Sequence, residues 1–211
     1  MKRTTRPTLL LTGFDPFDGA KSNPSWEAAS ALDGRIVGRH RIVARRLPTE
    51  FGASLRALRT AIRETSPALV VCTGLAGGRT GLSLERVAIN VDDARIPDNA
   101  GAQPVDAKIA TNGPAAYFSA LPIKAMLAAL QRHGIPAHVS QTAGTYVCNH
   151  VFYGLMHELR RKPGVRGGFI HVPNAGRGGM PLDDIVEGLR IALRVAATAR
   201  HDARIAAGAE D

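Results

Sequence analysis

Six consecutive residues, Ala68-Leu69-Val70-Val71-Cys72-Thr73, carry no charged or strongly polar interruption. A strand with one wet face alternates apolar and polar residues, so an unbroken apolar run of strand length belongs to a strand covered on both sides. That is the situation of parallel sheets flanked by helices. Thr8 to Thr12 is a second such run, ending at Gly13, and Gly168 to Val172 is a strand of similar length, apolar but for His171 and stopped by Pro173.

Helical signals alternate with these runs. Pro24-Ser25-Trp26-Glu27 opens a helix through Leu32, with Ser22 or Asn23 available as cap. Ile36 to Leu47 reads as extended, and Thr49 to Glu64 as a helix with Phe51, Leu55, Leu58 and Ile62 on one face. Leu82 to Val91 reads as one strand, and Asp92 to Tyr117 as irregular or a short hairpin, because Gly, Pro, Asn and Asp crowd it. Ile123 to His133 aligns Ile123, Met126, Leu127 and Leu130 on a helix, and Ile135 to Ser140 is strand-like. A helix behind Cys148 carries Val151, Phe152, Leu155, Met156 and Leu159, and a last helix runs from about Pro181 into an Ala-rich tail that frays by Ala206. Strand and helix in alternation predict an α/β fold with a mostly parallel twisted sheet between helices, as a single domain over 1–211.

Composition excludes several classes. No apolar run approaches the ~20 residues of a membrane span, and Leu9-Leu10-Leu11 behind Lys2, Arg3 and Arg6 is too short for a signal peptide. A cytoplasmic location is expected, with no membrane partner. Cys72 and Cys148 make no disulfide framework, and Cys72 reads as a strand residue. Twenty-seven basic against 18 acidic residues give a formal charge of +9, which raises nucleic acid as a partner. Only five of the basic residues are lysines, the arginines are scattered, and aromatics at 5% cannot build a stacking platform, so no nucleic-acid partner is expected.

Three residues break the apolar pattern. Cys148 falls in the first turn of its helix, with Thr145 as expected N-cap, where free amides and the positive dipole end favour a thiolate. His171 sits in a strand end. Glu85, with Val87, Ile89 and Val91 on its side of a strand, is a carboxylate facing a core. Each has a plainer reading: a small buried hydrophobe, a core histidine, and an ion pair with Arg86 or Arg95. Together they could form a cysteine nucleophile, a histidine base and a carboxylate that orients the imidazole. Other recipes are missing: no HExxH, GxSxG or Walker loop, and Gly74, Gly77 and Gly78 do not spell a dinucleotide fingerprint.

Several motifs carry a resemblance. Thr12-Gly13-Phe14-Asp15-Pro16-Phe17-Asp18-Gly19 with Asn23-Pro24-Ser25, Gly77-Gly78-Arg79 leading to Ser83-Leu84-Glu85-Arg86-Val87-Ala88, and Asp92-Asp93-Ala94-Arg95-Ile96-Pro97-Asp98-Asn99 resemble the pyroglutamyl peptidase I (pyrrolidone carboxyl peptidase) family. So do Ala143-Gly144-Thr145-Tyr146-Val147-Cys148-Asn149 and Phe169-Ile170-His171-Val172-Pro173, in the same order. The resemblance implies a three-layer α/β/α cysteine peptidase of the cytosol, free of cofactor and metal, commonly a homotetramer, removing N-terminal pyroglutamate from peptides. By that likeness Cys148 is the nucleophile, His171 the base, Glu85 its orienter, and Arg95 lies beside the oxyanion with the Cys148 amide. Phe14, Phe17, Asn23, Leu75, Ile96, Tyr146 and Val147 become the substrate-binding set. A pyroglutamyl ring is a flat, uncharged lactam, so an apolar, aromatic-walled pocket suits it and disfavours a charged N-terminus. Two positions depart from the family: Leu75 stands where Gln is usual, and Tyr146 where Phe is usual. Leu75 also opens a second reading, a noncatalytic or altered-specificity binder of lactam-like molecules on the same fold.

Overall fold

The computed structural model describes residues 6–208; Lys2, Arg3 and the last positions of the 1–211 span lie outside the described residues. The elements are β1 (Thr8–Phe14), α1 (Pro24–Ala31), β2 (Ile36–Val37), β3 (His40–Leu47), α2 (Ala53–Thr65), β4 (Leu69–Leu75) and β5 (Leu82–Glu85). They continue as β6 (Val87–Ile89), β7 (Ala116–Phe118), α3 (Ile123–Arg132), β8 (Ala137–Ser140), α4 (Val147–Leu159), β9 (Arg166–Val172) and α5 (Leu182–Thr198). Seven strands make one sheet in the order β2-β3-β1-β4-β9-β5-β8, and β6 pairs with β7 apart from it. β3, β1, β4 and β9 run parallel. β5 runs against β9 but with β8, and β2 runs against β3, so the sheet is mostly parallel with reversed strands at both edges.

Strand periodicity sorts the core into two layers. Leu9, Leu11, Leu69, Val71, Ile170 and Val172 pack with α1, α3 and α5. Leu10, Val70, Cys72 and Phe169 face α2 and α4. Burying each large side chain contributes roughly 1.5–3 kcal/mol, and a one-residue slip of register would exchange the two sets. This is why the unbroken apolar runs fix a three-layer arrangement.

The structure departs from the sequence reading at several boundaries. The 36–47 stretch is a tight hairpin, with Val37 paired to His40 across Gly38, whose φ of 56° suits glycine. The 82–91 stretch breaks at Arg86, whose N–H donates to the Ser140 carbonyl while its own carbonyl accepts from Ser119. Glu85 therefore ends a strand of the main sheet, and Val87 and Ile89 belong to the β6–β7 ribbon; they share no strand face. The helix expected from Thr49 starts at Ala53 instead, after Gly52, whose φ of 71° suits glycine. Asn23 is the α1 cap, accepting from the Ser25 N–H. Gly13 lets this cap approach β1, since a Cβ there would lie 2.5 Å from the Ser25 carbonyl oxygen.

α4 is buried nearly all round, wider than the single stripe its apolar spacing implies, because the β6–β7 ribbon covers its outer side. Its polar residues are satisfied by neighbouring loops. Asn149 bonds the Ile89 and Val91 backbone, and His150 bonds Asp92 through Nδ1 and accepts from the Gly52 N–H through Nε2. α5 ends at Thr198, short of the expected fraying point, because the chain then turns back toward α3. There the Asp202 carboxylate accepts from the Lys124 and Ala125 amides at the start of α3, which has no cap of its own. Asp202→Ala should therefore lower unfolding free energy by about 1 kcal/mol without changing activity, measured by urea denaturation.

Candidate active site

Residues paired across adjacent strands share a face, and alternate residues return to it. Gly74 and Ser83 both pair with His171, and Glu85 follows Ser83 by two positions. All four therefore project toward the α2/α4 side. His171 arrives near the end of β9, Glu85 at the end of β5, which runs against β9, and Cys148 at the start of α4.

His171 and Glu85 are almost wholly buried, and Nδ1 of the ring lies 2.8 Å from Glu85 Oε1. The same carboxylate oxygen accepts from Arg79 Nη1 at 2.5 Å, and Arg79 Nη2 donates to the Thr142 carbonyl at 3.0 Å. Arg86 is turned outward to Gln141 by the break in the strand, so the guanidinium facing Glu85 is Arg79, in place of the expected Arg86 or Arg95. Burial works to raise the Glu85 pKa, but the hydrogen bond and charge of His171, then the Ser140 hydroxyl and the Arg79 charge, outweigh it and hold the carboxyl below its usual value. The second oxygen, Oε2, is buried with no hydrogen-bond partner among the described residues. The Phe169 ring packs on the imidazole at 4.8 Å between centroids.

Cys148 is the second residue of α4. The cap position is Tyr146 and offers no side-chain bond; Thr145, expected there, donates its hydroxyl to the Asp93 carbonyl. The sulfur sits over Gly74, where an added Cβ would come within 2.7 Å of it. Burial, reinforced by the Glu85 carboxylate, pushes the thiol up to about 12, with Arg79 pulling the other way. Burial at the sulfur thus opposes the helix-end preference for a thiolate. Among the described residues no hydrogen bond joins the sulfur to the imidazole, so their link is a shared cavity.

That cavity holds about 250 Å3 and is lined by Phe14, Phe17, Asn23, Leu75, Tyr146, Val147, Cys148 and His171, together with Thr49, Ala76, Arg79, Ala143 and Gly144. The volume falls just below the ~300–1,000 Å3 of drug-sized sites and suits one small ring. Phe17 and Tyr146 stand 6.1 Å apart, and Phe51 buttresses Tyr146 edge-on. The Tyr146 hydroxyl donates to the Pro97 carbonyl, which settles the role of the added oxygen: it fixes the ring. Asn23 lines the wall, but its Oδ1 accepts from the Ser25 N–H and hydroxyl and its Nδ2 donates to the Asp15 carbonyl, so its amide shapes the loop.

Two expected residues are not brought to this wall. Arg95 is exposed and Ile96 half-buried, and neither lines the cavity. Their segment is a brace: Asp98 holds the Phe51 amide, Asn99 the Pro16 carbonyl, and Pro97 the Tyr146 hydroxyl. Arg79, the one guanidinium of the wall, has its sequence signal in Gly77-Gly78-Arg79: a cation following a glycine turn just ahead of a buried carboxylate.

A model of the pyroglutamyl peptidase family matches residues 7–199. A pyrrolidone-carboxylate peptidase of Cupriavidus taiwanensis is 56% identical over 208 residues, 94% of this chain and 96% of that protein. The Erwinia tasmaniensis protein of the same name is 53% identical over 95% of this chain and 98% of its own length. Among solved structures, pyroglutamyl peptidase I of Bacillus amyloliquefaciens superposes with a TM-score of 0.93 at 48% identity, covering 96% of this chain and 100% of that one. Pyrrolidone carboxyl peptidase of Thermococcus litoralis gives 0.91 at 33% identity, with 95% and 99% covered. Agreement of this extent, in sequence and in fold along nearly the whole chain, means that it belongs to the pyroglutamyl peptidase family.

Proposed function

We propose that Cys148, His171 and Glu85 hydrolyse the amide bond after an N-terminal pyroglutamyl residue through a thioester on Cys148. The observation that carries this reading is the 2.8 Å His171–Glu85 bond at the base of a small apolar cavity that Cys148 also lines. With Nδ1 held by the carboxylate, the Nε2 lone pair is the one free to take a proton.

In the first half-reaction the Cys148 S–H gives its proton to His171 Nε2 as the sulfur adds to the pyroglutamyl carbonyl carbon. The raised thiol makes this transfer concurrent with attack. The carbonyl oxygen gains charge within reach of the Cys148 amide, which as a first-turn amide of α4 has no intrahelical acceptor. The tetrahedral adduct collapses by breaking the C–N bond, and the peptide amine leaves with the proton from His171. Water then gives a proton to Nε2 and its oxygen to the thioester carbonyl; free pyroglutamate departs and the sulfur is reprotonated. Glu85 stays ionised throughout and balances the transient imidazolium.

The lactam would lie between Phe14, Phe17 and Tyr146, with Leu75 and Val147 closing the apolar wall. A pocket of this kind should turn over pyroglutamyl-aminomethylcoumarin about 10^4-fold better, in kcat/KM, than the prolyl or glutaminyl analogue, whose charged amine it cannot solvate. Comparable turnover of the three would reject the assignment.

The same reading takes the span 1–211 as one catalytic unit and pyroglutamyl peptides as its partners. Its location is cytoplasmic, supported by two free cysteines. No helix among the described residues is long and apolar enough to cross a membrane. A homotetramer is supported by the apolar outer face of the β6–β7 ribbon, where Phe118 is 70% and Ile89 36% exposed. Light scattering should return about four times 22.4 kDa; a monomeric mass at micromolar concentration would exclude it.

A further inference from the structure

Arg79 contributes more to this site than closing its wall. It follows Gly77-Gly78, in a turn where the Arg79 N–H donates to the Ala76 carbonyl. The Asn174 amide holds that turn from outside by donating to the Gly77 carbonyl at 2.9 Å. From there the guanidinium reaches two acceptors on different segments: Glu85 Oε1, and the carbonyl of Thr142 in the loop that leads to α4. The Ser140 hydroxyl donates to the same Thr142 carbonyl at 2.9 Å, so that carbonyl collects two donors. Ala143 and Gly144, next along that loop, line the cavity.

Resting on the reading of Cys148 as nucleophile, we propose that Arg79 is a positioning residue for the reaction. One arm of its fork orients Glu85 for His171, and the other ties that carboxylate to the loop delivering the nucleophile helix, with the fixed positive charge facing the sulfur across the cavity.

The geometry asks for arginine in particular. Two acceptors on separate segments match two nitrogens of one rigid plane, whereas a lysine ammonium gathers its three donors at one point and lacks the spread of the fork. Glu85 is wholly buried, and both its hydrogen bonds converge on Oε1 while Oε2 has none among the described residues. Those two donors hold its orientation, with the Ser140 hydroxyl beside it on the paired strand β8. The charges that meet at the sulfur are the Glu85 carboxylate and the Arg79 guanidinium, with the buried Cys72 thiol behind. The His171 ring lines the same cavity, and the Tyr146 phenol lies on its far wall, held by the Pro97 carbonyl. Of these groups Arg79 alone favours the sulfur anion by charge in the resting state.

The test compares the parent with Arg79→Gln and Arg79→Lys in two assays. The first is the rate of Cys148 alkylation by iodoacetamide at neutral pH, without substrate. The second is kcat and KM on pyroglutamyl-aminomethylcoumarin. Arg79→Gln should slow alkylation about tenfold, because the thiolate fraction falls, and cut kcat about 100-fold, with KM nearly unchanged. Arg79→Lys should keep the parent's alkylation rate, since at neutral pH the charge remains, yet lose about tenfold in kcat, since the fork is gone. An unchanged alkylation rate in Arg79→Gln, a loss confined to KM, or parent-like kcat in Arg79→Lys would overturn the proposal. If Arg79→Gln fails to fold, judged by circular dichroism, the lysine variant decides alone. A parent that is alkylated at Cys148 but hydrolyses no pyroglutamyl amide would fail the functional reading instead, and the alkylation comparison would still judge Arg79.

Discussion

Glu85→Gln should lower kcat by about 10^2- to 10^4-fold and leave KM within a few-fold of the parent. The amide fits the same space, and its oxygen can still accept from His171 Nδ1 and from Arg79, so the ring keeps its orientation. What disappears is the negative charge, and in a site with no solvent at Glu85 that charge is what balances the imidazolium formed during attack. The loss therefore falls on the step that creates the imidazolium. A change confined to KM would mean that Glu85 serves binding. The parent also has a definite pH behaviour. Because the folded carboxyl is held below its unfolded value, its contribution to stability is present above that unfolded value and is lost as acid drives the pH down through the folded one. Thermal stability measured from neutral to acid pH should therefore fall less steeply in Glu85→Gln than in the parent.

Gly74→Ala should be nearly as damaging, although alanine is the smallest possible addition. The new Cβ would lie 2.7 Å from the Cys148 sulfur and 2.9 Å from Phe169 Cζ. Phe169 cannot yield, since its ring is packed among Phe14, Phe152 and His171. The sulfur, on a short side chain at the edge of the cavity, is what moves. A displacement near 1 Å at a reacting atom costs about 100-fold in rate, so kcat should fall by that order while the fold, followed by circular dichroism, persists. Full activity in Gly74→Ala would show that the sulfur reacts from a position other than the one over β4.

These two variants also mark what the sequence could and could not reveal. The layers were legible because fully apolar runs such as 68–73 leave no wet face, and the observed cores split along the alternation that such runs imply. Cys148, His171 and Glu85 were legible as polar interruptions of apolar elements. The geometry that makes them a site was less so. That Glu85 ends a reversed strand depends on a break at Arg86, where nothing in Arg-Val-Ala announces a turn. Arg79 was hidden because its partner is set by a glycine turn folding back, and local proximity favoured Arg86. Arg95 and Ile96 were carried over from a motif, whereas their loop acts here through its backbone and through Asp98 and Asn99. Gly74, with Gly77 and Gly78, fails to spell a nucleotide fingerprint, and its use appears only with Cys148 in place above it.

Formation of the acyl bond on the Cys148 sulfur is tested most directly by steady-state turnover of pyroglutamyl-aminomethylcoumarin by the parent and by Cys148→Ser, at equal and verified folded concentration. The parent should hydrolyse the amide, and the serine variant should be slower by about 10^3-fold or more, since His171 is then asked to activate a far less acidic hydroxyl. Equal turnover in the two proteins would contradict it.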